Sequence, residues 1–315
     1  MILMERLRNS LIDFRRAILI LLVVLVHIVH FGDLHPNTKD AILAFMMPAF
    51  LVITGYLVNV DKPIKKFLLY LLKIALPYTI MVSGYMLLSM YLPVRDGIES
   101  FDIHTLCHVL FVTSIGPYWF FRVMIICGCC YYLVFHLCQS LFDRNTRYML
   151  LASALLAISL FTPVLDVKAA AYYFIGVGIR VYVRDFERIC VGSLWAFVPF
   201  LILLSREECR GWETFYVLAC VMCFFSFTTV LAKYPKGKVR EILLYIGRNT
   251  LPIYIFHPIF TMLAKFALPM FQFDLTGCLH ALFTITMSVA GSLGIAYVME
   301  KTHISYIFAY RKLLR

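Results

Sequence analysis

The chain has 315 residues, of which 62% are hydrophobic and 15% charged, with a formal charge of +11 and a mean hydropathy of +0.85. That balance excludes soluble globular and disordered classes. Nucleic acid is not an expected partner, because the basic residues are scattered over short connectors rather than gathered in one patch.

Taken in chain order, a basic start (Arg6, Arg8, Arg15, Arg16) precedes the first apolar run. It has no small-residue cleavage pattern after it, so it reads as an uncleaved first helix. Apolar runs of membrane length then fall near 12–31, 42–59, 67–91, 118–138, 148–163, 168–183, 190–205, 213–232, 249–268 and 278–299. Ten spans place both termini on one side. Most of the 29 Lys and Arg residues also lie on that side, which predicts cytoplasmic termini. Residues 103–116 and 236–248 are too short to span and predict partial or interfacial helices. The expected fold is therefore an all-α integral membrane protein of about ten transmembrane helices. It forms a single transmembrane domain over 1–315 with no separate soluble domain. The ten cysteines lie mostly inside apolar runs and lack the paired spacing of a zinc site, so no metal is expected.

Polar residues inside apolar runs are costly and mark sites. Arg16 and His27 stand eleven positions apart on the first run, about three helical turns and ~16 Å along one face. An imidazole there can act as a general base or hydrogen-bond a neighbouring helix, and an arginine near the boundary can bind phosphate or snorkel. Asp13 is spaced to pair with Arg16. Lys65, Lys66, Lys73 and Arg248 complete a candidate basic cluster for a polyanion such as a nucleotide or coenzyme A. The second run carries Pro48 and Gly55 beside Tyr56, residues that loosen packing and admit a ligand. Trp119 and Arg122 open the fourth run, where they suit an interfacial belt or a bound sugar. The ninth run brings Asn249, Tyr254 and His257, and a second mid-membrane histidine suggests a shared polar interior.

These segments together resemble acyltransferase family 3, integral-membrane acyltransferases that often O-acetylate cell-envelope polysaccharides. The resemblance is carried by Asp13 to Arg16 with His27, Met47-Pro48 to Thr54-Gly55-Tyr56, and Lys66 through Pro77-Tyr78. It continues in Tyr118-Trp119-Phe120-Phe121, Tyr172 to Gly176, and Ile246 to Thr250 with Tyr254 and His257. It departs from the family where two arginines three apart are common, since Tyr70 and Lys73 stand there. The resemblance implies the short, stand-alone type in a bacterial cytoplasmic (inner) membrane. Its implied chemistry is transfer of an acetyl group from cytoplasmic acetyl-CoA to a hydroxyl of a glycan or lipid-linked sugar, beside membrane lipids and polysaccharide-synthesis machinery. Arg16 would contact the donor and His27 would carry catalysis, with Lys65, Lys66, Lys73 and Arg248 holding the coenzyme. Tyr56, Trp119, Arg122, Asn249, Tyr254 and His257 would line the acceptor side. The competing readings are a transporter or flippase of a polysaccharide precursor, and a non-catalytic partner of a synthesis complex. Against a transporter, no inverted repeat is visible and intramembrane carboxylates are few.

Overall fold

The computed structural model describes residues 2–91 and 102–315, with the backbone alone for residues 2–9, so the side chains of Arg6 and Arg8 lie outside the described residues. Among the described residues 80% are helical and none is in a strand. The helices are α1 (Ile2–Val26), α2 (Val29–Leu34), α3 (Pro36–Leu57), α4 (Ile64–Ser89), α5 (Ile103–His108), α6 (Trp119–Tyr132) and α7 (Arg144–Phe161). They continue with α8 (Val167–Gly178), α9 (Phe197–Ser205), α10 (Phe215–Leu231), α11 (Gly237–Arg248), α12 (Thr250–Leu263) and α13 (Cys278–Lys301). Among the described residues five stretches are long and apolar enough to cross a membrane: α3, α4, Gly116–Leu137, Thr250–Phe271 and α13. The expected spans 190–205 and 213–232 form shorter apolar helices, Leu194–Ser205 and Phe215–Leu231. The first expected run extends back to Ile2 and stops at Val26, one residue before His27. The two short segments are helical as expected, α5 with a wider π turn at Val109–Thr113, and α11.

The chain divides into two compact units that alternate along the sequence. The first holds residues 1–53, 183–301 and 312–315, and the second 54–182 and 302–311, so the chain passes from one to the other within α3.

In the first unit α12 and α13 are the most extensively packed pair. The reason is visible on α13, where Ala281, Thr284, Ser288, Ser292 and Ala296 are all buried at three- and four-residue spacing. Small side chains on one stripe let two helix backbones approach closely in lipid. α1 packs against α11 in the same manner: Gly247 lies so close that a Cβ there would run into the Asp13 carbonyl. An aromatic cluster joins α3, α9 and α10, with Phe45 4.9 Å from Phe200 and 5.5 Å from Phe224.

In the second unit Gly55 lets α3 meet the Tyr173 carbonyl of α8. Phe67 of α4 stacks on Tyr132 of α6 at 3.8 Å, and Tyr132 stacks on His136 at 4.5 Å. Loop carboxylates begin the helices: Asp143 accepts from the Asn145 amide at 3.0 Å, and Asp166 from that of Ala169 at 2.9 Å. The Thr146 hydroxyl and then the Asn145 amide hold the Asp143 carboxyl below its ordinary range. α4 turns Leu68, Leu69, Leu72 and Ile80 outward, as lipid contact requires.

Gly247→Ala is expected to lower stability by about 1–3 kcal/mol through overpacking, read as the unfolding midpoint in detergent. Gly84→Ala, where an added Cβ meets nothing within 4 Å, is expected to leave the midpoint unchanged or raise it. Equal effects at both glycines would refute the close α1–α11 contact.

Candidate functional site

The site of the first unit is built along one face of α1. At one end Arg16 donates through Nη2 to the Thr250 hydroxyl and lies 3.7 Å from Asp13 Oδ1. At the other end the His27 ring meets the His257 ring edge to face, centroids 5.1 Å apart. Thr250 and His257 follow in the same order along α12 as Arg16 and His27 along α1, so the two helices run parallel.

His27 stands where α1 ends, and its side chain helps to end it. The His27 amide turns back to the Val24 carbonyl at 3.2 Å, and the Ile28 amide to that of Leu25 at 3.1 Å. This tightened turn releases the Val23 carbonyl, which lies 2.6 Å from His27 Nδ1. A carbonyl only accepts, so Nδ1 carries the proton and, in the neutral ring, Nε2 carries the lone pair. His257 is arranged alike: Nδ1 lies 2.9 Å from the Tyr254 carbonyl and 3.1 Å from that of Ile253. Its Nε2 is buried with no hydrogen-bond partner among the described residues. Tyr254 packs beside it, ring centroids 5.9 Å apart. The two imidazole rings thus meet with both Nδ1 atoms turned to carbonyls of their own helices.

Arg15, next in sequence to Arg16, is the more deeply enclosed of the pair, 1% exposed against 21%. Its Nη1 pairs with Glu187 Oε1 at 3.0 Å, its Nε donates to the Thr228 hydroxyl at 3.1 Å, and its Nη2 donates to the Phe225 carbonyl and Thr229 hydroxyl, both at 2.8 Å. The rings of Phe186 and Phe225 flank the guanidinium at 5.4 and 5.3 Å. In the sequence Arg15 reads only as part of the basic start and of the Asp13 to Arg16 segment, with no role of its own. The available signal was Glu187, an acidic residue in a basic connector, and the Thr228-Thr229 pair closing an apolar run.

Other expected residues divide by unit. In the first, Arg248 is exposed on the last turn of α11, and its Nε donates to the Leu244 carbonyl at 3.3 Å. Asn249 is fully buried and grips the chain's last resolved residue: Oδ1 accepts from the Arg315 amide at 2.7 Å, and Nδ2 donates to the carbonyls of Tyr245 at 2.8 Å and Arg315 at 3.1 Å. Glu300 accepts from the Leu313 and Leu314 amides beside it. In the second unit Lys65 and Lys66 are exposed on the first turn of α4, and Lys73 Nζ lies 4.9 Å from the centre of the Tyr310 ring. Tyr56 is buried under the Arg180 guanidinium, 5.8 Å away. Trp119 is half-buried against Phe120, and Arg122 points Nε and Nη1 into the interior without hydrogen-bond partners among the described residues. The described residues contain no group of three or more His, Cys, Asp or Glu able to hold a metal ion.

A family model described as an acyltransferase domain matches residues 9–297. No curated protein and no solved structure matches the chain.

The geometry separates the two neighbouring arginines. Arg15→Met, which removes a buried guanidinium from its ion pair and three further hydrogen bonds, is expected to cost about 3 kcal/mol or more, and Arg16→Met, at a partly exposed pair, less than about 1 kcal/mol. Unfolding midpoints of the two variants in detergent check this; a larger loss at Arg16 would contradict it.

Proposed function

The chain belongs to acyltransferase family 3, and from that premise we propose that it is a multi-pass O-acetyltransferase. It would take an acetyl group from cytoplasmic acetyl-CoA and pass it to a hydroxyl of a glycan or lipid-linked sugar. Acyl transfer as such follows from the family; the donor, the acceptor and a bacterial cytoplasmic membrane are our reading. So is the ten-span topology with cytoplasmic termini. It is supported by the parallel course of α1 and α12, since helices counted as first and ninth must cross in the same direction.

The observation that carries the mechanism is the Nδ1 contact of His27 with the Val23 carbonyl. It orients the ring and places the proton on Nδ1, so that in the neutral ring the lone pair is on Nε2. As a general base, Nε2 takes the acceptor's hydroxyl proton while the oxygen attacks the thioester carbonyl. The C–S bond then breaks, and the proton passes to the departing thiolate. As a covalent carrier, Nε2 itself attacks and the thiolate leaves; in a second step the acceptor oxygen displaces the imidazole, and the hydroxyl proton it gives up balances the one the departing thiolate takes. Both routes use the same nitrogen, and His257 supplies a second imidazole in contact with it. Arg16 lies ~16 Å from His27 along α1, a separation on the scale of an extended pantetheine arm. In the first unit Arg16 and Arg248 are the candidate cations for the coenzyme's phosphates, and Tyr254 and His257 the candidate acceptor-side residues. In the second unit, taken by itself, Lys65, Lys66 and Lys73 are candidates for the first role, and Tyr56, Trp119 and Arg122 for the second. The amide of Asn249, engaged with Arg315 and Tyr245, supports the mouth by holding backbone.

The test is transfer or hydrolysis of radiolabelled acetyl-CoA by purified protein. His27→Asn retains a donor for the Val23 carbonyl and lacks the basic nitrogen. It is expected to stay folded and lose activity by ~10²–10⁴-fold, whereas Arg16→Ala should chiefly raise KM for the donor. Near wild-type turnover in folded His27→Asn would overturn the assignment, and absence of donor binding in folded wild type would favour a carrier.

A further inference from the structure

Arg122 lies one turn into α6, between the buried Phe121 and Val123. Its Nε and Nη1 are both buried, and among the described residues neither has a hydrogen-bond partner. Other inward-facing arginines differ. Arg15 has acceptors on all three nitrogens. In the second unit Arg147 also leaves its Nε buried without a partner, but its Nη1 donates to the Phe135 carbonyl at 3.1 Å while the guanidinium stacks on that ring, and Arg180 covers Tyr56. Arg122 has no carboxylate partner among the described residues. The ionisable group that acts on it is Tyr78, a neutral phenol whose hydroxyl donates to the Leu110 carbonyl at 2.6 Å. Arginine does not discharge by losing its proton, and in this half-buried side chain the two enclosed nitrogens lack the acceptors that offset their loss of water.

The surroundings are those of a polar recess. Ser114, its hydroxyl buried beside Tyr78, holds φ 64 and ψ 161, a backbone region that is nearly confined to glycine and recurs where a local shape is functionally required. Gly116 follows at φ 57, and a Cβ there would touch the Tyr85 ring at 3.6 Å. Trp119, one turn from Arg122, is half-buried and offers an aromatic surface.

We propose that Arg122 is an anion-binding residue of the acceptor site, and that the acceptor therefore carries an oxyanion next to the sugar that receives the acetyl group. Guanidinium donors pair with a carboxylate or phosphate through charge-assisted hydrogen bonds, while Trp119 and Ser114 suit the adjoining sugar ring. The oxyanion has two sources, the carboxylate of an acidic sugar or the phosphate that joins a sugar to its lipid carrier. The assignment rests on the acyltransferase reading for its biological meaning but not for its measurement.

The experiment uses the full chain in an uncharged detergent, as wild type, Arg122→Gln and Arg122→Lys. Binding is followed as the shift in unfolding midpoint on titrating methyl glucuronide beside methyl glucoside, and polyprenyl phosphate beside polyprenol. One anionic probe should stabilise wild type where its neutral counterpart does not. Arg122→Gln should weaken that binding at least about tenfold, the loss of a charge-assisted hydrogen bond, and Arg122→Lys should retain part of it. The responding probe identifies the source. Equal responses to charged and neutral probes, no response to either anion, or an unchanged response in Arg122→Gln overturns the proposal. Hydrolysis of acetyl-CoA, which needs no acceptor, is measured on the same samples. Loss of that activity in wild type would sink the acyltransferase reading while leaving the binding result standing.

Discussion

The buried guanidinium of Arg15 sets the rotation of α1, and with it everything the first unit presents. Its three nitrogens find acceptors on α10 and on Glu187, elements far away in sequence. A cation so deeply enclosed is tolerated only with that full set, so the side chain cannot swing away without leaving its own buried nitrogens unpaired. Successive residues on a helix are ~100° apart. Fixing Arg15 toward α10 therefore turns Asp13, Arg16 and His27 together toward α11 and α12. The polar face of α1 is aimed by the residue that is not on it.

At the far end of that face, local geometry and chemistry are the same contact. An imidazole that caps the carbonyl of its own helix cannot exchange its two nitrogens without leaving that carbonyl bare in an apolar interior, which costs as much as a lost hydrogen bond. The tautomer of His27 is thus held by the helix terminus itself, a role often taken by a carboxylate in soluble active sites. His257 repeats the device against Tyr254 and Ile253.

Much of this was legible in the sequence because membrane helices make polar residues conspicuous. His27, His257 and Arg16 stand out against runs of Leu, Ile and Val, and Pro and Gly between runs mark most element ends. Adjacent arginines were harder to separate. Hydropathy records that Arg15 and Arg16 are charged and not which azimuth meets protein, and Glu187 lies 172 residues away. The break after Val26 was hidden as well, since Val26-His27-Ile28 contains no residue that ends a helix by propensity, and the cause is a side-chain bond to Val23. Asn249 read as a polar position at the start of a span, while its function depends on Arg315, 66 residues distant. The interleaving of two units, exchanged in the last turn of α3, leaves no composition shift for a sequence to display.

α4 has a further consequence for where the second unit meets lipid. Its 26 residues extend ~39 Å at the usual rise, against a hydrocarbon core of ~30 Å. The helix must tilt or carry its excess beyond the core, a mismatch of about two turns. Lys65 and Lys66, exposed in its first turn, then stand at headgroup depth, where anionic lipids attract them. The length of one helix thereby ties the engagement of these two cations to the charge of the surrounding leaflet.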